Sequence, residues 1–184
     1  SFGKLMKAVV AGARPKTLAA GMVPVWLGGV LAWKLTGNFD GWLWSCTLLG
    51  ALCIQVATNF FNDAVDGKKG ADGQNRTGPR RLTGTGEMSY GKVMMLGVVF
   101  LTGAVIFGAP LVMARGWPIL AIGLPSLFLA YGYTGGPFPL AYRGLGEIFV
   151  ILFFGFIAVM GTVFIQTETW PHEAILLGAQ IGLL

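Results

Sequence analysis

Long apolar runs alternate with short polar segments along this chain. A membrane-spanning helix needs about 20 predominantly apolar residues. Five runs reach about that length, and a sixth begins near Glu173. The five runs cover residues 17–35, 42–62, 92–113, 117–134 and 147–166, and the sixth covers residues 174–184. The pattern predicts an all-α, polytopic bundle of transmembrane helices with five spans and part of a sixth.

The composition agrees with this pattern. The 184 residues are 54% hydrophobic and only 11% charged, whereas a soluble domain has about 25% charged residues. The mean hydropathy is +0.69. We therefore expect residues 1–184 to form a single membrane-embedded domain. Because residues 174–184 are too few to cross a bilayer, we also expect the chain to be truncated at its C-terminal side.

The basic residues predict the orientation of the bundle. Eleven of the 13 Lys and Arg residues belong to the N-terminal segment and to the connections 63–92 and 135–146, whereas Lys34 and Arg115 lie on the other side. Cytoplasmic loops carry an excess of Lys and Arg. We therefore expect the N-terminus and these connections to face the cytoplasm from the cell inner membrane. No nucleic-acid partner is expected, since no soluble domain interleaves these bases with aromatic residues.

A polar stripe lies at the end of the second apolar run. At about 100° per residue, Asn59, Asn62, Asp63 and Asp66 fall within an arc of roughly 100° on one helical face, with Gln55 one turn earlier. Two carboxylates repel each other, and a helix C-terminus already carries partial negative charge. A hard cation with oxygen ligands removes both penalties. The stripe therefore predicts a Mg²⁺ site and, through the metal, an anionic substrate.

Two basic segments are candidates for phosphate binding. Arg14 and Lys16 flank Pro15 at the start of the first span, where free backbone N–H groups favour an anion. Both side chains also suit a simple role as membrane anchors. The connection 67–89 carries Arg76, Arg80 and Arg81. This connection is interpreted either as a lid over a metal–phosphate site or as a flexible loop in solvent.

A second connection on the same side contains Tyr131, Tyr133 and Arg143, and the fifth span after it is rich in phenylalanine. Phenylalanine rings line apolar tunnels or shield a cation, although they also serve as lipid-facing bulk. Carboxylates for a metal, bases for phosphate and an aromatic interior together indicate a substrate with a diphosphate head and a hydrocarbon tail.

The motifs resemble those of a known family. The pattern Asn59-x-x-Asn62-Asp63-x-x-Asp66, followed by Gly70-x-Asp72 and Arg76-x-Gly-Pro-Arg-Arg81, is similar to the first aspartate-rich motif of the UbiA superfamily of intramembrane prenyltransferases. Residues 13–18 and 133–147 resemble the branch that prenylates 1,4-dihydroxy-2-naphthoate in menaquinone synthesis. The common spacing of this motif would place its third acid at position 70, which is a glycine here, and the nearest acid is Asp72. The family has nine spans and a second aspartate-rich motif near the sixth, beyond this sequence.

The resemblance implies an enzyme in a lipid bilayer that transfers a polyprenyl group from polyprenyl diphosphate to 1,4-dihydroxy-2-naphthoate, with decarboxylation, giving demethylmenaquinone. It implies that Mg²⁺ is bound by Asp63, Asp66 and Asp72, and that Asn59 and Asn62 assist. The implied phosphate contacts are Arg14, Lys16, Arg76, Arg80 and Arg81. Tyr131, Tyr133 and Arg143 are expected near the aromatic acceptor or the diphosphate.

Three other interpretations fit parts of the sequence. Another enzyme of this superfamily would use 4-hydroxybenzoate or homogentisate as its acceptor. A CDP-alcohol phosphotransferase also carries aspartates on membrane helices, but the residues after Asp66-Gly67 do not continue its motif. A cation transporter or a purely structural bundle would explain the acidic stripe, but it would leave the basic clusters on the same side unexplained.

Overall fold

The computed structural model describes residues 2–68, 81–137 and 139–183, and these residues form helices joined by short connections. The eight α-helices are α1 (Phe2–Ala13), α2 (Pro15–Thr36), α3 (Gly41–Lys68), α4 (Tyr90–Arg115), α5 (Trp117–Gly132), α6 (Gly146–Val150), α7 (Ala158–Thr167) and α8 (His172–Gly182). A π-helical segment, Ile151–Ile157, joins α6 to α7, and a 3₁₀ turn, Leu140–Tyr142, precedes α6.

Among the residues that the structure describes, four helical stretches are long and apolar enough to cross a membrane: α2, α3, α4 and Ile148–Thr167. The prediction of an all-α, polytopic bundle is confirmed. Helix α5 is apolar but has only 16 residues, so the span predicted for residues 117–134 is shorter than expected. It ends at Gly132 because Tyr133 and Thr134 begin a turn.

Helix α3 lies at the centre of the bundle and packs against α2, α4 and α5. It continues past residue 62, where the predicted span ended, so the whole polar stripe is helical. Phe60 and Ala64 have no exposed surface, and Leu82 and Met88 from the following connection pack in the same cluster as Val93 of α4. The apolar core therefore holds this part of the connection beside the stripe.

The junction between α1 and α2 is a sharp turn at Arg14. This residue has a φ of 53° and a ψ of 69°, a left-handed conformation that is uncommon outside glycine. Pro15 begins α2, where its missing N–H costs no helical hydrogen bond. The Arg14 carbonyl accepts hydrogen bonds from the Thr17 N–H at 2.8 Å and the Thr17 hydroxyl at 2.9 Å. The turn thereby presents the end of α1 and the first turn of α2 to α3.

The turns on the other side of the bundle are also linked. The Asp40 N–H donates to Gln166 Oε1 at 2.8 Å, which joins the α2–α3 turn to the end of α7. Arg115 Nε donates to the Ile165 carbonyl at 2.7 Å, which joins the end of α4 to the same region. The α2–α3, α4–α5 and α7–α8 turns therefore share one end of the bundle, and the polar stripe of α3 lies at the other end.

The π-helical segment packs closely on α8. A Cβ atom added to Gly155 would lie 2.6 Å from the carbonyl oxygen of Gly178 and 2.7 Å from the Cα of Gly182. Contacts this short exclude any side chain at Gly155. The apolar pattern predicted one regular span over residues 147–166, whereas the structure places a π-helical segment inside it.

Candidate functional site

Asn59 joins the polar stripe to the α1–α2 junction. Its side chain is 3% exposed, and its Nδ2 donates to the Ala13 carbonyl at 2.8 Å and to the Thr17 hydroxyl at 3.0 Å. The segment that carries the predicted bases Arg14 and Lys16 therefore lies directly beside the stripe. The Nε and Nη2 atoms of Arg14 are buried, whereas Lys16 is exposed.

Asp63 binds the far end of the connection between α3 and α4. Its carboxylate has no exposed surface. Oδ2 accepts a hydrogen bond from the Leu82 N–H at 2.8 Å. Oδ1 accepts one from the Thr83 N–H at 3.0 Å and one from the Thr83 hydroxyl at 2.6 Å. This carboxylate, predicted as a metal ligand, therefore also holds the connection against α3.

Gly67 allows this close approach. A Cβ atom added to Gly67 would lie 2.7 Å from the Cβ of Thr83 and 3.2 Å from the backbone nitrogen of Gly84. Real Cβ atoms essentially never approach a side-chain carbon so closely, so a larger residue would push the connection away from the helix. The absence of a side chain at residue 67 thus sets the position of the segment bonded to Asp63.

Asp66 forms a buried ion pair with Arg81. Arg81 Nη2 lies 2.5 Å from Asp66 Oδ2, and the two side chains are 8% and 9% exposed. Burial of a charge is costly unless an opposite charge or hydrogen bonds compensate for it. The structure therefore places Arg81 beside the stripe. The other predicted residues of the connection, Asp72, Arg76 and Arg80, lie outside the described residues.

The stripe offers carboxylate and amide oxygen atoms, which are the ligands that a hard cation binds. A carboxylate has about four acceptor positions, and Asp63 already uses three of them. The Oδ1 atom of Asn62 is buried and accepts no hydrogen bond from the described residues, and an amide oxygen is a ligand that Mg²⁺ or Ca²⁺ accepts. Residues 2–68, 81–137 and 139–183 contain no group of three His, Cys, Asp or Glu side chains that could hold a metal ion. Within them, the carboxylate end of the stripe supplies Asp63, Asp66 and the available amide oxygen of Asn62.

Tyr131 of α5 packs against a face of α3 that differs from the face carrying the stripe. Its ring packs edge-on against Phe61 with the centroids 5.6 Å apart, and Phe61 lies about 160° around the helix from Asn59 at about 100° per residue. Tyr131 also lines a cavity of about 380 Å³ together with Lys68 and Tyr90, and Lys68 Nζ lies 5.0 Å from the Tyr90 ring centroid. This cavity is therefore separate from the contacts of Asn59 and Asp63.

Tyr133 and Arg143, which were predicted together with Tyr131, lie near α6. The Tyr133 carbonyl accepts a hydrogen bond from the Ala141 N–H at 2.9 Å, and a Cβ atom added to Gly146 would lie 2.7 Å from the Tyr133 hydroxyl. Arg143 ends the 3₁₀ turn and is exposed. Of the predicted residues, the structure brings the α1–α2 junction and Arg81 to the stripe. The contacts described for Tyr131 and Tyr133 are with other residues, namely Phe61, Ala141 and Gly146.

Several residues of this site were not predicted as functional. Thr17 pairs with Asn59, and Leu82 and Thr83 bind Asp63. Thr17 belongs to the Arg-Pro-Lys-Thr motif, so its position in that motif was a usable signal. Leu82 and Thr83 carried no local signal, because backbone N–H groups bind a carboxylate whatever their side chains are.

Comparisons with known proteins show the family to which the chain belongs. The sequence profile of the UbiA prenyltransferase family matches residues 21–184. The chain is 34% identical over 179 residues to the 1,4-dihydroxy-2-naphthoate octaprenyltransferase of Haemophilus influenzae, an alignment that covers 94% of this chain and 58% of the relative. It is 34% identical over 171 residues to the enzyme of the same name from Bacillus subtilis, with 93% and 55% covered.

A third relative carries a different name. The chain is 27% identical over 174 residues to the 2-carboxy-1,4-naphthoquinone phytyltransferase of Synechocystis, with 95% of this chain and 56% of the relative covered. The chain thus spans between half and three-fifths of the length of these curated relatives. Because the family profile extends from the first span to the last residue, and three relatives align with almost the whole chain, the protein belongs to the UbiA prenyltransferase family.

Proposed function

We propose that the complete protein transfers a polyprenyl group from polyprenyl diphosphate to 1,4-dihydroxy-2-naphthoate, with loss of the carboxylate, to give the demethylmenaquinone skeleton. The observation that carries this proposal is that Asn59, Asp63 and Asp66 converge with the Arg14 turn and Arg81 at one end of the bundle. Relatives named for this acceptor are 34% identical to the chain over 179 and 171 residues.

Mg²⁺ is the proposed cofactor. Asp63, Asp66 and Asp72 would hold it, and the buried Asn62 Oδ1 offers a further oxygen ligand. A bound divalent cation neutralises the charge that develops on a departing diphosphate. The protein would act beside it by keeping the carboxylates in place: Asn59 bonds α3 to the α1–α2 junction, and the Leu82 and Thr83 N–H groups orient Asp63.

The proposed phosphate contacts are the bases around the stripe. Arg81 already lies within 2.5 Å of a stripe carboxylate, and the Arg14 guanidinium is largely buried beside the same helix. Guanidinium groups bind phosphate oxygens with two parallel hydrogen bonds. Lys16, Arg76 and Arg80 complete the proposed set. Tyr131, Tyr133 and Arg143 are proposed to contact the acceptor or the diphosphate, by analogy with the family motif.

The proposed location is the cell inner membrane, with the stripe at its cytoplasmic face. The distribution of bases supports this orientation: Arg14, Arg81 and Lys68 belong to the end of the bundle that holds the stripe, and Lys34 and Arg115 belong to the other end. The polyprenyl chain would extend from the stripe into the bilayer, its apolar partner. The aromatic acid would reach the site from the cytoplasmic side.

A competition assay tests the proposal. The full-length protein in lipid would be incubated with Mg²⁺, a labelled polyprenyl diphosphate and equal amounts of 1,4-dihydroxy-2-naphthoate and 4-hydroxybenzoate. We expect the label to appear in the naphthoate product. Label found in 4-hydroxybenzoate and absent from the naphthoate would overturn the acceptor assignment, and label in neither acid would overturn the enzyme proposal.

A further inference from the structure

Gln55 is the one polar residue of the stripe that has no assigned role. It lies in α3 one helical turn before Asn59 and is 8% exposed. Its Oε1 atom is buried and accepts no hydrogen bond from the described residues. Its neighbours differ from it, because Asn59 donates two hydrogen bonds and Asp63 accepts three. Gln55 therefore presents, inside the bundle, an amide oxygen that accepts no hydrogen bond from the described residues.

An unused amide is unfavourable at this depth. A buried polar atom without a partner destabilises a protein, and lipid offers no water to replace the partner. The stem of the side chain lies close to α2, since a Cβ atom added to Gly21 would lie 3.6 Å from the Cβ of Gln55. Such an amide is typical of a ligand-binding site.

The spacing along the helix limits which ligand this is. At 1.5 Å per residue, Gln55 lies about 12 Å along the axis from Asp63 and about 16 Å from Asp66. Those distances are too long for Gln55 to share a cation with the two carboxylates. An ionised diphosphate offers only acceptor oxygens, and a hydrocarbon tail offers neither donors nor acceptors. Neither part of the prenyl donor therefore satisfies the buried oxygen.

The aromatic acceptor has the required group. Its attacking ring must meet the carbon that bears the diphosphate, so the ring lies on the membrane side of the carboxylates. Gln55 lies on that side. We propose, on the basis of the function proposed above, that the Gln55 side-chain amide binds a ring hydroxyl of the acceptor, with Oε1 accepting the hydrogen bond.

The test is equilibrium binding to the full-length protein. The ligands are 1,4-dihydroxy-2-naphthoate and 2-naphthoate, which lacks both hydroxyls, and the variant is Gln55→Met, which keeps the length of the side chain without hydrogen-bonding groups. The matched control is Thr58→Val on the same helix, since the Thr58 hydroxyl bonds only to the Ile54 carbonyl of its own helix at 2.8 Å. We expect Gln55→Met to weaken binding of the dihydroxy ligand about tenfold. Gln55→Met should change the affinity for 2-naphthoate less than about twofold. Thr58→Val should change the affinity for neither ligand.

Each of the following results would overturn the inference. One is unchanged affinity of Gln55→Met for the dihydroxy ligand in a preparation whose wild type prenylates it; this would leave the proposed function intact. Another is equal weakening for both ligands. The third is a lower melting temperature with unchanged affinity, which would mean that the amide bonds to another helix of the protein. If Gln55→Met did not fold, a wild-type preference of less than about twofold for the dihydroxy ligand would overturn it. Wild-type protein that neither binds nor prenylates this acceptor would refute the proposed function as well.

Discussion

The two ends of the polar stripe on α3 differ in how their oxygen atoms are used. At the end near the α3–α4 connection, Asp63 accepts three hydrogen bonds and Asp66 pairs with Arg81. Deeper in the bundle, the Gln55 amide oxygen accepts none from the described residues. The difference shows that the carboxylates of this stripe hold the chain together as well as offering oxygen ligands. An acidic motif therefore does not by itself separate a structural role from a catalytic one.

The change expected to matter most is Asp63→Ala. It removes the acceptor for the N–H groups of Leu82 and Thr83, whereas the Thr83 hydroxyl keeps the carbonyl oxygen of residue 63 at 2.7 Å. Each buried donor left without a partner costs about 1–3 kcal/mol. We expect the variant to insert into membranes, to lose prenyl transfer and to unfold at a clearly lower temperature in detergent. A variant that melts like the wild type would contradict the structural role of Asp63, and full activity would contradict its catalytic role.

The next change is Asp66→Ala, which separates Arg81 from its buried carboxylate. Removing one partner of a buried ion pair costs about 3–5 kcal/mol. We expect lost turnover and a lower melting temperature. A double-mutant cycle with Arg81→Ala measures the coupling free energy between Asp66 and Arg81. Additive effects of the two substitutions on melting would show that the 2.5 Å contact contributes no coupling.

A smaller change acts on the same connection without touching a carboxylate. Gly67→Ala would place a methyl group against Thr83 and Gly84 and force the segment away from Asp63. We expect this variant to be less stable by about 1–3 kcal/mol, as is usual for an overpacked site, and to lose part of its activity. The matched control is Gly108→Ala in α4, where an added Cβ atom meets nothing within 4 Å. Equal melting temperatures for the two variants would contradict the packing argument.

The smallest expected effect comes from Thr83→Val. The Thr83 hydroxyl lies 2.6 Å from Asp63 Oδ1 and 2.7 Å from the Asp63 carbonyl oxygen, but both backbone N–H bonds to Asp63 would remain. Because only one hydrogen-bonding group is lost and the two backbone N–H bonds still hold the carboxylate, we expect a smaller fall in melting temperature than for Gly67→Ala and a measurable residual activity. Complete loss of activity would show that the hydroxyl itself takes part in binding the substrate.

The sequence predicted the fold well and the contacts of the site only in part. The apolar runs identified the helices, because a helix that crosses a bilayer needs about 20 predominantly apolar residues in sequence. The stripe Asn59–Asp66 followed from helical geometry. The partners of Asp63 could not be predicted, since Leu82 and Thr83 contact it across 19 and 20 residues through their backbone.

Two further differences have similar causes. The position of Tyr131 against Phe61 depends on how α5 packs on α3, and a tyrosine near a predicted connection carries no sign of which helix face it contacts. The π-helical segment Ile151–Ile157 differs from an α-helix by its hydrogen bonds, which apolar composition does not encode. Both features are set by tertiary packing.

The central claim is that the carboxylate end of the stripe binds a prenyl diphosphate through Mg²⁺. The most direct measurement is equilibrium binding of a labelled polyprenyl diphosphate to the full-length protein, with and without Mg²⁺, for the wild type and for Asp66→Asn, both shown to be folded by their melting curves. We expect wild-type binding to require Mg²⁺ and the variant to bind at least about tenfold more weakly, since a ligand charge is lost. Binding that is equal with and without Mg²⁺, or unchanged in Asp66→Asn, would contradict this account.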